Sequence, residues 1–292
     1  MFGSSCGNEH LVSGWYIMSL LTRRRGIIAD EPVHLWVPED PGSLYAYFDF
    51  TDPAARAVTS GNIDVLLDKG PSNRDIFNTG ANRPTVAAAA RNGYDVGNFV
   101  ASDQCLISPT LAAWPFHKPG TAWTFIMGSK QTHNDGAGAE AMYGNGSVAY
   151  WHGFCHTNSA YFGVCQIGIN DSGMVNFGGV ANHTQTRPAF NNWAVYSTLI
   201  QADASPVSGR IQAAVNGGSL VSNNTATGTP ITADPGLYFT IGGIASGAAT
   251  GPATSGSGFH GQISHLLIYN AKLDTENWQA ARDFVNGYVT AF

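Results

Sequence analysis

Two stretches of the sequence bring together the residue types that hold sugar rings. The first is Trp114-Pro-Phe-His117. The second is Tyr150-Trp151-His152-Gly153-Phe154, with His156, Asn158 and Tyr161 close behind. An aromatic face stacks on the apolar side of a sugar ring, while imidazole and amide groups bond its hydroxyls. Trp114, His117, Trp151, His152, His156, Asn158 and Tyr161 are therefore the ligand-binding candidates. Plain packing accounts for the same residues more economically, because an aromatic at every second position of a β sandwich usually faces the core.

Hydrolytic chemistry has less to work with. Glycoside hydrolysis takes a carboxylic acid of raised pKa and a second carboxylate at a fixed separation. The chain has only five Glu, namely Glu9, Glu31, Glu39, Glu140 and Glu276. An Asp-only pair could be drawn from Asp49, Asp52 and Asp68, but turn and capping roles account for them better. There is neither a G-x-S-x-G elbow nor a G-x-x-x-x-G-K-[ST] loop. The expectation is a protein without enzymatic activity. His152 and His156 stand four apart in a strand-like stretch, which separates them by about 13 Å at ~3.3 Å per residue. That is too far to share an ion in an unbroken strand.

Composition narrows the classes further. Charged residues make up 12% of the chain, about half the ~25% usual for soluble domains. Gly accounts for 35 of 292 residues, well above the average of about 7%. Such a chain turns often and covers itself with Ser, Thr, Asn and Gly. The net charge of -6 argues against a nucleic-acid partner, which would need a basic stripe. Arg23, Arg24 and Arg25 form the only basic run. They follow an apolar segment, Leu11–Leu21, that is about half the length needed to cross a bilayer, and a secretory leader would place its charges first. Residues 1–40, with Trp15, Tyr16 and the three arginines, are expected to form an arm that docks on a partner or a neighbouring subunit. Met18 is an alternative start. The four Cys lack a CxxC spacing, which speaks against zinc. Cys155 and Cys165 could meet across a hairpin, or all four could be free buried thiols.

The elements that must position these residues are short strands between Gly, Asn, Asp and Pro. They are expected at Leu44–Phe50, Ile63–Leu67, Gly93–Phe99, Gln104–Ile107, Ala122–Met127, Val148–Cys155 and Tyr161–Asn170. Others follow at Met174–Phe177, Trp193–Gln201, Arg210–Asn216, Leu237–Ile241 and Gln262–Tyr269. In Arg210–Asn216 the apolar Ile211, Ala213 and Val215 alternate with polar neighbours, the mark of a half-buried antiparallel strand. Asn216-Gly217 then reads as a type I′ turn. One helix is expected, capped by Asp274, with Trp278, Ala281, Val285 and Tyr288 on one face and a stop at Gly287. The Gly/Ala/Ser/Thr stretch Ile244–Gly258 reads as a long rim loop.

The order of the C-terminal half resembles the concanavalin A-like lectin/glucanase superfamily in its laminin-G-like branch. Asn192-Trp193-Ala-Val-Tyr-Ser-Thr-Leu199 is similar to that family's Trp-bearing central strand. Gly209-Arg-Ile-Gln-Ala-Ala-Val-Asn-Gly217 is similar to its Asn-Gly hairpin strand, and Tyr238-Phe-Thr-Ile-Gly-Gly243 to the strand closing on paired glycines. Phe259-His-Gly-Gln-Ile-Ser-His-Leu-Leu-Ile-Tyr-Asn270 resembles the strand that precedes an acid-capped helix. Asp68-Lys69-Gly70-Pro71-Ser72-Asn73 departs in order from the family's D-K-S-G-N turn.

The resemblance implies an all-β, two-sheet antiparallel jelly-roll sandwich over residues 41–292, with one C-terminal amphipathic helix. The family's enzymes carry E-x-D-x-x-E along a strand, which is missing here. Its laminin-G-like members often hold Ca²⁺ through rim-loop oxygens, for which Asp135, Asn145, Asn170 and Asp171 are the weak candidates; no other cofactor is expected. Domains of this kind recur among phage tail, fibre and decoration proteins. The implied role is a virion surface protein attached through its arm to other virion proteins or its own copies, homo-oligomeric, and able to contact host-surface glycans. A secreted lectin or adhesin is the first alternative, and a polysaccharide depolymerase the second.

Overall fold

The computed structural model describes residues 35–78, 80–101, 103–109, 120–132, 139–146, 151–157, 162–168, 188–201, 203–205, 209, 211–222, 238–243 and 258–292. The chain divides into Met1–Leu35 and Trp36–Phe292, and the second unit is described below. The expected arm residues Trp15, Tyr16 and Arg23–Arg25, the strand at 174–177 and the loop at 244–257 lie outside the described residues.

The first strands are β1 (Leu44–Asp49), β2 (Arg56–Thr59), β3 (Asn62–Leu66), β4 (Ile76–Phe77), β5 (Thr85–Arg91) and β6 (Tyr94–Phe99). There follow β7 (Leu106–Ile107), β8 (Ala122–Gln131), β9 (Ala139–Gly146), β10 (Trp151–Thr157) and β11 (Phe162–Gly168). The last are β12 (Trp193–Gln201), β13 (Ile211–Val215), β14 (Val221–Ser222), β15 (Phe239–Ile241) and β16 (Gly261–Tyr269), before helix α1 (Thr275–Val289).

The strands hydrogen-bond in the order β11-β10-β9-β15-β7-β4-β3-β5-β6-β16-β8-β12-β13-β14, with β1 added to β16 and β2 to β3. Only one residue pair, Asn62 with Thr85, joins β3 to β5. The ladder folds over at this weak link, so β11 to β3 form one layer and β5 to β14 the other. Phe48 of one layer lies 6.3 Å from Phe239 of the other, ring to ring. Ile63, Leu66, Ile76, Leu106 and Ile241 meet Phe125, Met127, Tyr196 and Ile268 in the same buried core. The protein is thus the two-sheet antiparallel sandwich that its alternation and turn residues imply.

Alternation along β8, β12 and β16 sends the other residue set outward. Ile126, Trp193, Val195, Leu199, Leu267 and Tyr269 form a second buried layer with Trp278, Ala281, Val285 and Val289 of α1. Asp274 caps this helix by accepting from the Asn277 N–H at 2.8 Å. Each large side chain sealed here contributes about 1.5–3 kcal/mol. Trp36 joins the same layer, with its indole N–H donating to Asn277 and its ring 6.0 Å from Phe284.

Several local expectations are corrected. The helix runs through Gly287 and stops at Thr290, which takes a left-handed conformation and donates to the Asn286 carbonyl. The Asn216-Gly217 pair does not make a type I′ turn, since only Asn216 has positive φ. Asn216 instead extends the β12 ladder, its N–H donating to the Val195 carbonyl and its Oδ1 accepting from the Val195 N–H. The two-residue turns with both φ values positive are Ser60-Gly61 and Asn92-Gly93, closing β2–β3 and β5–β6. Strand β5 escaped the pattern because Thr85-Val-Ala-Ala-Ala-Ala-Arg91 carries an alanine run of high helix propensity. Pairing with β6 overrides it. The β10–β11 register sets Cys155 across from Val164 and Cys165 across from Phe154, so the two cysteines are not cross-strand partners.

Candidate functional site

Of the residues expected to bind ligand, Trp114, His117, Asn158 and Tyr161 lie outside the described residues, as do Asp135, Asn170 and Asp171. Trp151, His152 and His156 have a described backbone in β10, and Asn145 in β9. His152 pairs with Asn145, and Trp151 with Gly146. Successive strand positions alternate between faces, so positions 152 and 156 share one face of the ladder and position 151 takes the other. Among the described residues no group of three His, Cys, Asp or Glu could hold a metal ion. Nor is any helix among them long and apolar enough to cross a membrane.

A cleft of about 640 Å³ opens where α1 ends and the outward face of β12 continues. Helix residues Val285 and Val289 press on β8 at Gly128, where an added Cβ would meet Val285 at 2.8 Å. Beyond that point the sheet is left uncovered by the helix. The cleft is lined by Arg91, Asn191, Asn192, Trp193, Asn216 and Thr290, among others. They come from three local devices. The β5–β6 turn brings Arg91 and Asn92 against the helix end, where Arg91 donates to the Val289 and Thr290 carbonyls and Asn92 to those of Tyr288 and to the Thr290 hydroxyl. These bonds satisfy carbonyls that a helix C-terminus leaves open. Asn191, with φ of 66°, turns the chain into β12 as its N–H donates to the Gln131 carbonyl. Asn216 anchors the opposite wall through its two bonds to Val195.

The chemistry of the cleft is that of amides, an indole and one cation, Arg91. Asn191 and Asn192 are exposed, and Trp193 is buried, with 7% of its surface exposed. Lys130 sits opposite Trp193 in the β8–β12 ladder, its Nζ 5.8 Å from the indole centroid. Among the described residues no carboxylate lines the cleft. Such a lining bonds hydroxyl groups from several directions but offers no acid or base. Sequence reasoning took Asn192, Trp193 and Asn216 as fold elements only and passed over Arg91, Asn191 and Thr290. The Asn-Asn-Trp triplet ahead of a strand was the available signal.

A second polar cluster is sealed between β1, β16 and α1. Asp49 accepts from the Thr51 N–H and hydroxyl at 2.9 and 2.6 Å, from the Tyr47 hydroxyl at 3.1 Å, and from Lys69 Nζ at 3.0 Å. His265 Nε2 lies 3.3 Å from its Oδ1. Neither nitrogen of His265 makes an aligned hydrogen bond, and the imidazole becomes charged only when it is protonated. Burial opposes ionisation of Asp49, yet His265, Thr51 and Lys69 hold its pKa down to about 2. Burial drives His265 down to about 4 against the pull of Asp49. With His265 fully buried and Asp49 nearly so, no substrate reaches the pair, and its role is structural. Asp49 therefore does more than the turn role expected of it. Asp52 caps a short 3₁₀ turn at Pro53–Ala55, and Asp68 accepts from the Tyr47, Gly70 and Arg74 N–H groups, as turn and capping residues do.

No protein-family model and no curated protein sequence matches the chain. Among solved structures it is similar to domain 4 of AbnA, an extracellular GH43 arabinanase from Geobacillus stearothermophilus, in complex with arabinotriose. That match has a TM-score of 0.50 and 13% identity over 83% of this chain and 98% of the domain. It is also similar to the binding domain of botulinum neurotoxin serotype D, at a TM-score of 0.50 and 13% identity over 84% of this chain and 51% of the other. Trypanosoma rangeli sialidase aligns at a TM-score of 0.49 and 12% identity over 84% of this chain. The chain spans about a third of the sialidase's length. At these identities the likeness is one of fold alone, a β sandwich.

Proposed function

We propose that the protein is a non-enzymatic, glycan-binding β-sandwich displayed on a virion-type surface and attached through its N-terminal segment. The observation that carries the binding half is the cleft at the end of α1, where amides from two separate chain segments and the Trp193 indole converge, with no carboxylate among the described residues that line it. Sugar hydroxyls suit such a lining, because each can donate to and accept from side-chain amides. The arabinanase domain that shares the fold is seen with arabinotriose, and the neurotoxin relative is a binding domain. Both support a binding role on this scaffold. Asp49, Asp52 and Asp68 are each spent on structure, which favours a binder over a hydrolase. The virion placement rests on the resemblance of the sequence to phage surface proteins.

Binding is tested on a glycan array with the wild-type chain and an Asn191→Ala/Asn192→Ala double variant. Retained folding with loss of glycan signal in the variant is expected. Equal signal from both proteins would remove the cleft from the reading. Placement is tested by mass spectrometry of purified particles from the source culture: stoichiometric copies on a capsid or tail are expected, and a chain found only free in the medium would overturn the virion half.

A further inference from the structure

We propose that a second recess, on the opposite outer face of the sandwich from the cleft, holds a single neutral sugar ring against Phe77. The inference rests on the glycan reading for the class of ligand and adds a second place for it to bind. Strands β15, β7 and β4 are neighbours in their layer. At their ends Phe77, Ile107, Ser108, Pro109 and Tyr238 line a recess of about 230 Å³. Ile76 and Leu106 belong to the core between the layers. By alternation Phe77 and Ile107, which pair across the two strands, share the outward face. Trp193 of the cleft lies on the outward face of the other layer, in the core under α1. The two recesses therefore look away from each other, and each would engage its own glycan chain.

The lining sets the class of ligand. Phe77 is 37% exposed and stacks on no ring among the described residues, so its face is open to the recess. Ile107 is buried yet joins neither core layer among the described residues, which makes it an apolar floor. The wall after β4 is braced. Asn78 donates to the Asn82 and Cys105 carbonyls at 2.9 and 2.8 Å and accepts from the Gly80 N–H at 2.8 Å. Its amide is spent on holding the loop. Ser108 is fixed by accepting from the Phe239 N–H at 3.0 Å, and with Tyr238 it supplies a polar edge. Among the described residues no charged side chain lines the recess, so an ion would find no counter-charge there. A sugar ring has the matching surfaces, a C–H face for the phenyl ring and hydroxyls for the polar edge. A volume of about 230 Å³ is smaller than the range of about 300–1,000 Å³ of pockets for larger ligands, which suits one ring rather than an oligosaccharide.

The test is ligand-observed NMR titration of the full chain with three neutral sugars: arabinose, galactose and N-acetylglucosamine. Wild type is compared with the Asn191→Ala/Asn192→Ala variant, and with that variant carrying Phe77→Ala or Phe77→Tyr in addition. Phe77 lies at the surface, and unchanged thermal melts would show that the variants fold. The expected result is that a sugar still binds when the cleft is disabled. That binding should weaken about tenfold with Phe77→Ala and persist with Phe77→Tyr, which keeps the ring. Binding by wild type but not by the cleft variant overturns the second site and leaves the glycan reading standing. So does residual binding that ignores Phe77→Ala, or that Phe77→Tyr abolishes as fully as Phe77→Ala. No binding of any sugar to any of the proteins overturns both.

Discussion

His265 and Asp49 lie 3.3 Å apart, imidazole nitrogen to carboxylate oxygen, in a chamber closed by helix α1. Phe284 and Tyr288 of the helix stand with their ring centroids 6.1 and 4.3 Å from the imidazole. Tyr47 stacks at 6.2 Å on its other side. The charges facing the imidazole are those of Asp49 and, behind it, Lys69. The pair couples the packing of the helix to the protonation of a group that water does not reach.

That coupling has a definite sign. His265 has a folded pKa of about 4 against an ordinary 6.5, so the unfolded chain binds the extra proton in that window. Stability should fall by on the order of 3 kcal/mol as pH drops from 6.5 to 4. Asp49, held at about 2 against 3.8, adds stability that is present above 3.8 and lost as pH falls through 2. Thermal melts across this range should show Tm falling with acidity. His265→Phe, which keeps a ring in the chamber, should flatten the slope between pH 4 and 6.5. An unchanged slope in that variant would place the acid sensitivity elsewhere.

Gly128 sets how closely the helix approaches the sheet. A Cβ there would stand 2.4 Å from Ser264 Oγ and 2.8 Å from Val285 Cγ1, so helix or strand must shift. Gly128→Ala should cost about 2 kcal/mol, read as a lower midpoint in urea. Gly287→Ala, on the same helix with no atom within 4 Å of the added carbon, should leave the midpoint the same or raise it.

Asn216 holds its wall of the cleft by a left-handed backbone (φ 53°) and a 2.9 Å bond from the Val195 N–H. Asn216→Ala loses both the bond and the easy conformation and should cost about 1–2 kcal/mol. Asn216→Gly loses only the bond. Denaturation should rank the variants in that order, and both should bind glycan less well. Equal stabilities would mean that the backbone conformation contributes little.

Cys105 is a free, buried thiol. Burial, with Asp103 adding to it, pushes its pKa up to about 12, and the thiolate is the reactive form. Peptide mapping after iodoacetamide treatment at neutral pH should find Cys105 unlabelled in the native protein and labelled in guanidinium. Rapid native labelling would show that the core around Leu106 and Gly243 opens readily.

What the sequence by itself determined is what short-range physics controls. Apolar alternation in Trp193–Gln201 and Gln262–Tyr269 marks strands wherever they pair. The Asp274 cap and the spacing of Trp278, Ala281 and Val285 mark a helix with one apolar stripe. Frequent turn residues with few charges mark an all-β sandwich. Tertiary structure decided what depends on distant partners. The alanine run of β5 is a strand because β6 pairs with it, and the type I′ geometry went to Asn92-Gly93 because Asn216 was recruited by Val195. His265 looks like any strand histidine until α1 closes over it. The cleft gathers residues 91, 191–193, 216 and 290, spaced across some two hundred positions. They meet because β8, β12 and β13 are neighbours in one ladder and the helix stops short of covering their ends. No local pattern encodes that meeting, since it follows from strand order and helix length together.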